Sequence, residues 1–427
     1  MYQIKEGDKE GIIFLEKDEV FEDTDTMKQI HAMITDPSVD HPRIMPDCHY
    51  GNGCCVGFTS KLTECTVPRY IGGDIGCGMT MYPLPERVAK KINKDPERYH
   101  DLIVSVVPVG AEKRTMPLTR DLKPLLNRLD DTYDEAWAAC CIERIGMDKD
   151  KIYKQLGTLG SGNHFIEVGE GETGQVYITV HSGSRALGQA VCRHHQDIIT
   201  QGTKKDWNSY NRERDIHNKK CKDKTRRVVF DAELKEKYLT DKHLRYLEGD
   251  ESRQYFHDMV FAQEYASYNR YLMLNEIIYA FGMDKITLDD SQIIESVHNY
   301  IDFDDKIWRK GAIRADKDQL IIIALNMRDG ILLAKGKGNE NWNNSAPHGA
   351  GRKIPRNQAR CHSNLKEFKA QMRDVYSKSV RSETLDESPS MYKKMELIKD
   401  RAKDTCEIID HIKPLINIKG WDSQKTK

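Results

Sequence analysis

Ile71-Gly72-Gly73-Asp74-Ile75-Gly76-Cys77-Gly78 sets a carboxylate and a thiol three residues apart in a stretch that is half glycine. Glycine accepts positive φ and lets other groups come close to the backbone, so this run predicts a tight, irregular loop. A loop of that kind can aim Asp74 and Cys77 at one point, and a thiolate beside a carboxylate is the beginning of a metal site. The plainer alternative is a glycine-rich turn in which Asp74 caps a backbone N–H and Cys77 fills space.

Around this loop, 36–84 is rich in Gly and Pro and predicts loops and short strands. Upstream, 11–15 reads as a first strand, and Asp23-Thr24-Asp25-Thr26-Met27 caps a helix running to about residue 34. Downstream, 118–145 reads as mostly helical, and 157–185 is a second glycine-dense region. In it Val176, Ile178 and Val180 alternate as a strand that ends at His181. Helices are predicted over 187–200 and 253–281, the latter closed by Gly282. Strands follow near 292–300, 306–309, 318–325 and 331–335, then helices near 364–378 and 391–412. Strands and helices mix without a regular βαβ beat, which predicts an α+β fold. No internal repeat or low-complexity tract divides the chain, and one large mixed α/β domain over 1–427 is expected.

Lys+Arg number 66 against 67 Asp+Glu, so any polyanion site must be a local patch. The strongest candidate is 203–227, with ten Lys/Arg against four acids and with Trp207 and Tyr210 inside it. Such a segment can track a phosphate backbone while bases stack on its aromatics, or it can be a solvated surface insertion. The eleven cysteines are odd in number and form no C-x-x-C, and the first residues do not read as a signal peptide. Reduced thiols in the cytoplasm are the expectation. No apolar run approaches the 18 or so residues of a membrane span.

Four histidines stand in polar or glycine-rich settings at strand ends or in tight loops: His164, His181, His298 and His348. Each taken singly can be a hydrogen-bonded structural histidine; joined to Asp74 and Cys77, the first three would make one or two metal sites. Five ligands exceed one tetrahedral ion, and a bridging thiolate would let two ions share them. Thiolate and imidazole on their own favour zinc. His348 is followed by Gly349, Ala350, Gly351 and Arg352, a backbone that a ligand can approach beside a guanidinium suited to phosphate. An imidazole in that setting can be a nucleophile toward phosphorus or a general acid or base. The chain has no Walker A motif, no K-x-D-G, no H-E-x-x-H and no G-x-S-x-G.

Seven segments in order carry a resemblance: Met45-Pro-Asp-Cys-His, Gly73-Asp-Ile-Gly-Cys-Gly, Gly160-Ser-Gly-Asn-His-Phe-Ile-Glu-Val, His181-Ser-Gly-Ser-Arg, Val297-His-Asn-Tyr, Arg309-Lys-Gly-Ala and His348-Gly-Ala-Gly-Arg. Together they resemble the RtcB family of RNA-splicing ligases. The resemblance implies an RtcB-type fold with its active site over a sheet edge, and GTP- and manganese-dependent joining of 2′,3′-cyclic phosphate or 3′-phosphate RNA ends to 5′-hydroxyl ends. It implies two Mn²⁺ ions held by Asp74, Cys77, His164, His181 and His298, although Zn²⁺ could occupy the site. His348 would form a histidine–GMP intermediate. Asn163 would hold the α-phosphate, with Gly349 and Ala350 alongside, and Glu167, Tyr392 and Lys419 would surround the guanine. Arg185, Lys310 and Arg352 would bind RNA or triphosphate oxygens, and Asp47 would support the site. The implied partners are tRNA halves or broken RNA ends and an archease-type activator. A phosphoesterase that opens cyclic phosphates without ligating would need the metal residues but not His348. One departure stands out: Asn326-Met-Arg-Asp-Gly330 replaces the Gly-Ser-Met-Gly usual in the family, whose serine helps to hold the nucleotide.

Overall fold

Alternating apolar residues pair into three sheets. The computed structural model describes residues 2–6, 9–15, 24–130, 133–201, 207–221, 224–238 and 246–421. Its strands are β1 Tyr2–Glu6, β2 Lys9–Ile13, β3 Asp40–His49, β4 Val56–Lys61, β5 Gly78–Leu84, β6 Phe165–Glu170, β7 Val176–Ser182, β8 Ile294–Val297, β9 Asn299–Asp302, β10 Ile307–Lys310, β11 Ala312–Arg314, β12 Leu320–Asn326, β13 Gly330–Gly336, β14 Ser345–Pro347 and β15 Cys406–Lys419. A six-stranded sheet runs β1-β2-β3-β4-β10-β9, a seven-stranded sheet runs β12-β13-β15-β6-β7-β5-β8, and β11 pairs with β14. This mixture is the α+β fold expected from the sequence.

At one of its crossings the chain passes from one large sheet to the other through a single residue. β8 is the edge of the seven-stranded sheet, β9 is the edge of the six-stranded sheet, and His298 alone lies between them. Backbone bonds fix that crossing: His298 N–H donates to Cys77 O at 2.9 Å, and Gly311 N–H donates to His298 O at 2.6 Å. Register collects further residues at the same end of the seven-stranded sheet. Gly78 pairs with both Ser182 and Val297, and Phe165 pairs with both His181 and Lys419.

The long helix Gly249–Ala280 backs this end of the sheet. Its buried residues Tyr255, Met259, Ala262, Ala266, Met273 and Ile277 recur at helical spacing and pack into the core. Each large apolar side chain so buried contributes roughly 1.5–3 kcal/mol. Among the polar residues that this helix also buries, Arg270 is fully enclosed. Its guanidinium donates to Gly76 O (2.7 Å), Ser182 O (2.8 Å), Thr80 Oγ1 (3.0 Å) and Glu295 Oε1 (2.7 Å). A buried charge is tolerated when it is paired and hydrogen-bonded in this way.

Several elements differ from the sequence expectation. The expected helix over 391–412 is the short helix Met395–Arg401 followed by β15, a strand of 14 residues. Through Ile412, β15 pairs with β13, and from Lys413 onward it pairs with β6, so its two halves serve different neighbours. Pro414, which cannot donate to a ladder, sits at the irregularity just past this changeover. The expected helix over 118–145 is two short ones, Lys123–Leu126 and Glu135–Arg144, the second capped by Asp134, which accepts from Trp137 N–H. Strand β1 and the helices Glu86–Lys94 and Pro96–Val106 were not foreshadowed by the pattern. Asp23, the expected helix cap, lies outside the described residues, as do 203–206 and 222–223 of the basic segment. Apart from Cys221, the rest of that segment belongs to the paired helices Trp207–Lys220 and Lys224–Tyr238.

Candidate active site

The loop 71–78 enters the site squeezed between two helices. Gly76 has φ +68°, and a Cβ there would reach Gln263 Cα of the long helix at 2.6 Å. A side chain at Gly183 would overlap the Asp74 carboxylate. With Arg270 holding Gly76 O, this crowding brings Asp74 and Cys77 to bear on the strand-end histidines.

Two donor groups share Cys77. One is Cys77, His181 and His298, the other Asp74, Cys77 and His164, each with its donor atoms within 4.8 Å of one another. Cys77 Sγ lies 3.3 Å from His181 Nε2 and 3.5 Å from His164 Nε2. His181 Nε2 lies 3.3 Å from His298 Nε2, and His164 Nε2 lies 2.9 Å from Asp74 Oδ2. His164 Nδ1–H donates to Leu159 O at 2.9 Å, which aims Nε2 at Asp74 and Cys77. Burial, reinforced by the neighbouring imidazoles, pushes both His181 and His298 well below the ordinary histidine range. They are therefore neutral, the form that ligates metal. Burial, with Asp74 alongside, pushes the Cys77 thiol up, so a cation entering here displaces its proton. Burial alone would raise the Asp74 carboxyl, but His164, Cys77 and Arg185 outweigh it and hold the group below the usual carboxylate range. Two neutral nitrogens facing each other beside sulfur form a donor set that fits divalent cations.

Opening onto this centre is a cavity of about 440 Å³. Of the residues expected at the site, Asp74, Asn163, Glu167, His181, His298, Lys310, His348, Gly349, Ala350, Arg352, Tyr392 and Lys419 line it. Cys77 and His164 stand directly behind that wall, and Asp47 stands behind His348, with its Oδ2 2.6 Å from His348 Nδ1. The His348 ring lies 4.7 Å from that of His298, centroid to centroid. Arg185 does not line the cavity; its Nε donates to Thr158 Oγ1 at 3.3 Å. Lys310 Nζ donates to Ile71 O at 2.8 Å, tying the end of β10 to the glycine loop.

Behind the lining residues Arg352, Arg356, Tyr392 and Lys419 stands a carboxylate that the sequence did not single out. Glu387, 3% exposed, accepts from Tyr392 Oη (2.7 Å), Lys419 Nζ, Arg352 and Arg356. Burial alone would raise its carboxyl, yet Arg356, Lys419 and Arg352 hold it low. The Arg352 fork is committed within the protein, to Ile354 O, Asp386 O, Glu387 and Tyr392. Asn417 Nδ2 donates to Glu167 Oε2 at 2.8 Å, and burial pushes the Glu167 carboxyl up to about 8. His49 and Asn299 also line the cavity; both stand inside motifs already quoted, whereas nothing around Glu387 or Arg356 marks them in the sequence.

The model of the tRNA-splicing ligase RtcB family matches residues 29–420. The chain belongs to the RtcB family. It is 28% identical to the RNA-splicing ligase RtcB of Escherichia coli K12 over 406 residues, which covers 89% of this chain and 90% of that one. It is 23% identical to the tRNA-splicing ligase RtcB of Methanococcus maripaludis, covering 93% of this chain and 92% of the relative. In RtcB terms the departure at Asn326–Gly330 is a three-residue hairpin loop: Asn326 pairs with Gly330, which has φ +75°. Asn326 Oδ1 accepts from the Arg328 and Asp329 backbone N–H groups, and its Nδ2 donates to Asp329 Oδ2. Its polar atoms thus serve the turn. No described helix is long and apolar enough to cross a membrane.

Proposed function

We propose that this chain is an RNA ligase that uses GTP to join 2′,3′-cyclic phosphate or 3′-phosphate RNA ends to 5′-hydroxyl ends through a histidine–GMP intermediate at His348. One observation carries the reading: His348 lies against His298, so a candidate nucleophile and a shared pair of metal-donor groups open onto one cavity. Paired cations beside a nucleophile are a recurring arrangement for phosphoryl transfer. The relatives' names, RNA-splicing and tRNA-splicing ligase, point to RNA ends as the acceptor chemistry.

Asp74, Cys77, His164, His181 and His298 would hold two ions, with Cys77 serving both groups. Family resemblance makes these Mn²⁺, although the sulfur and nitrogen donors also suit Zn²⁺. When bound, the ions would supply charge neutralisation at phosphate oxygens. Asp47 accepts the Nδ1–H of His348 and leaves the Nε2 lone pair for attack. Nε2 bonds to the α-phosphorus of GTP as the bond to the departing pyrophosphate breaks. Water first adds to a 2′,3′-cyclic phosphate as its P–O2′ bond breaks, and an oxygen of the resulting RNA 3′-phosphate then takes the GMP, freeing His348. Finally the 5′-hydroxyl oxygen attacks the 3′-phosphorus and GMP leaves. Asn163 and the Gly349–Ala350 backbone would steady the α-phosphate, while Glu167, Tyr392 and Lys419 would enclose the guanine. Lys310, Arg185 and Arg352 would supply positive charge toward RNA or triphosphate oxygens. The whole chain would act as one ligase unit in a reducing cell interior, on tRNA halves or broken RNA, with an archease-type activator as a partner. The basic segment 203–227 would contact RNA.

Incubation with α-labelled GTP and Mn²⁺ should yield a labelled protein adduct that is acid-labile and alkali-stable, and His348→Ala should abolish it. Absence of the adduct from wild-type protein with verified bound Mn²⁺ would sink the proposal.

A further inference from the structure

Glu167 and Asn417 face each other across the β6–β15 ladder, and Lys419 lies two residues further along, on the same face of its strand. All three side chains line the cavity, with exposures of 2%, 1% and 4%. Asn417 Nδ2 donates to Glu167 Oε2 at 2.8 Å, which orients the amide and leaves its oxygen turned away from the carboxylate. Among the described residues, neither Asn417 Oδ1 nor Glu167 Oε1 has a hydrogen-bond partner. Lys419 Nζ gives two of its three N–H groups to Asn163 O (3.2 Å) and Glu387 Oε2. With Glu167 ionised, the wall therefore offers two unpaired acceptors and one remaining donor. Buried polar atoms in folded proteins are nearly always paired, so two unpaired acceptors on a cavity wall call for donors from a ligand.

We infer that Asn417 is a specificity-determining residue of the nucleotide pocket, reading the donor edge of guanine together with Glu167. The inference rests on the nucleotide reading of this cavity proposed above and adds a residue to it. Guanine presents N1–H and the N2 amino group side by side, next to the acceptor O6. Two acceptors and the lysine donor match that edge. Adenine presents one donor beside an acceptor and leaves an acceptor on the wall unpaired. Hypoxanthine keeps N1–H and O6 but lacks the amino group, so it isolates the second contact. With Glu167 taking N1–H, the amino group falls to Asn417 Oδ1.

A purely supporting role makes a different forecast. If Asn417 served only to hold Glu167, losing it would weaken guanine and hypoxanthine nucleotides alike, because both carry N1–H.

The test measures binding of the α,β-methylene analogues of GTP, ITP and ATP to the full chain with Mn²⁺, for wild type and Asn417→Val. Wild type should prefer the guanosine analogue to the inosine analogue by roughly 5–100-fold, the usual consequence of leaving a buried acceptor unpaired. It should bind the adenosine analogue more weakly still. Asn417→Val should bring the guanosine-to-inosine ratio close to one by weakening the guanosine analogue alone. An unchanged ratio in the variant, or equal weakening of both analogues, overturns the assignment. A wild-type ratio near one overturns it without reference to any variant, so a folding defect in Asn417→Val cannot shelter it. These failures leave the ligase reading standing if GTP still forms the adduct, whereas a wild-type chain that binds none of the three analogues overturns both.

Discussion

The Asp47 carboxylate, fully buried, lies 2.6 Å from His348 Nδ1. The two come from different sheets: Asp47 from β3, and His348 from the residue after β14. A carboxylate in that position fixes the tautomer with the proton on Nδ1 and directs Nε2 into the cavity. Asp47→Asn keeps the shape and removes the charge. Formation of the labelled adduct, followed under single-turnover conditions, should slow by roughly 10²–10⁴-fold, as expected when a histidine loses its orienting carboxylate. Adduct formation at the wild-type rate would mean that Asp47 is a packing residue and that the orientation of His348 is set elsewhere.

Glu167 predicts a pH dependence. Burial pushes its carboxyl from 4.5 up to about 8. Between those values the folded chain keeps a proton that the unfolded chain has released. Stability from this group is therefore full below about pH 4.5 and is lost as pH rises toward 8. Nucleotide binding runs the other way: donors on the ligand favour the ionised carboxylate, so affinity should rise with pH up to about 8. Glu167→Gln should flatten both trends, checked by thermal melts and titrations of the GTP analogue across pH 5–9 (a range of about four units around neutrality). A pH slope that survives the substitution assigns it to another group.

Much of the candidate centre is legible in the sequence because its residues stand where chain patterns change. His164, His181 and His298 each lie at the end of a β-strand, and Asp74 and Cys77 lie in a glycine loop, so the local sequence alone marks them. What brings them together is not local. His298 joins the set because two sheets share one connecting residue, and no periodicity reveals which strand is an edge. β15 illustrates the other limit. Glu407, Asp410, His411 and Lys413 punctuate its first half as they would a helix, and only its pairing with β13 and then β6 makes it a strand. Glu387 is invisible for a third reason, since a carboxylate between Asp386 and Ser388 looks like surface until three cations close around it.

Arg270 links the core to the site. It donates to Gly76 O on the glycine loop and to Ser182 O next to His181, while its charge is met by Glu295. Arg270→Met should cost about 3 kcal/mol, the low end for breaking a buried ion pair, because Glu295 keeps some exposure. Arg270→Lys should be no rescue, since an ammonium cannot span the same set of acceptors. Denaturant unfolding gives the stability change, and metal analysis should show depleted ion content in any folded fraction. Wild-type stability and full metal content in Arg270→Met would show that the loop holds its shape unaided.

Cys77 is the test of whether the opening loop is a site or a turn. Its sulfur belongs to both donor groups, whereas His298 belongs to one and His164 to the other. Cys77→Ala should therefore strip both groups at once, while His298→Ala should spare the group formed by Asp74, Cys77 and His164. Metal content after dialysis against Mn²⁺ or Zn²⁺ should fall to near zero in the cysteine variant and to about one ion, the complement of one intact donor group, in the histidine variant. The labelled adduct should disappear from Cys77→Ala although His348 and Asp47 are untouched. Hydrolysis of a 2′,3′-cyclic phosphate end in the absence of GTP separates the two chemistries. If His348→Ala retains it and wild type never ligates, the chain is a phosphoesterase. If Cys77→Ala still binds two ions and forms the adduct, the thiol is filler and Ile71–Gly78 is a turn.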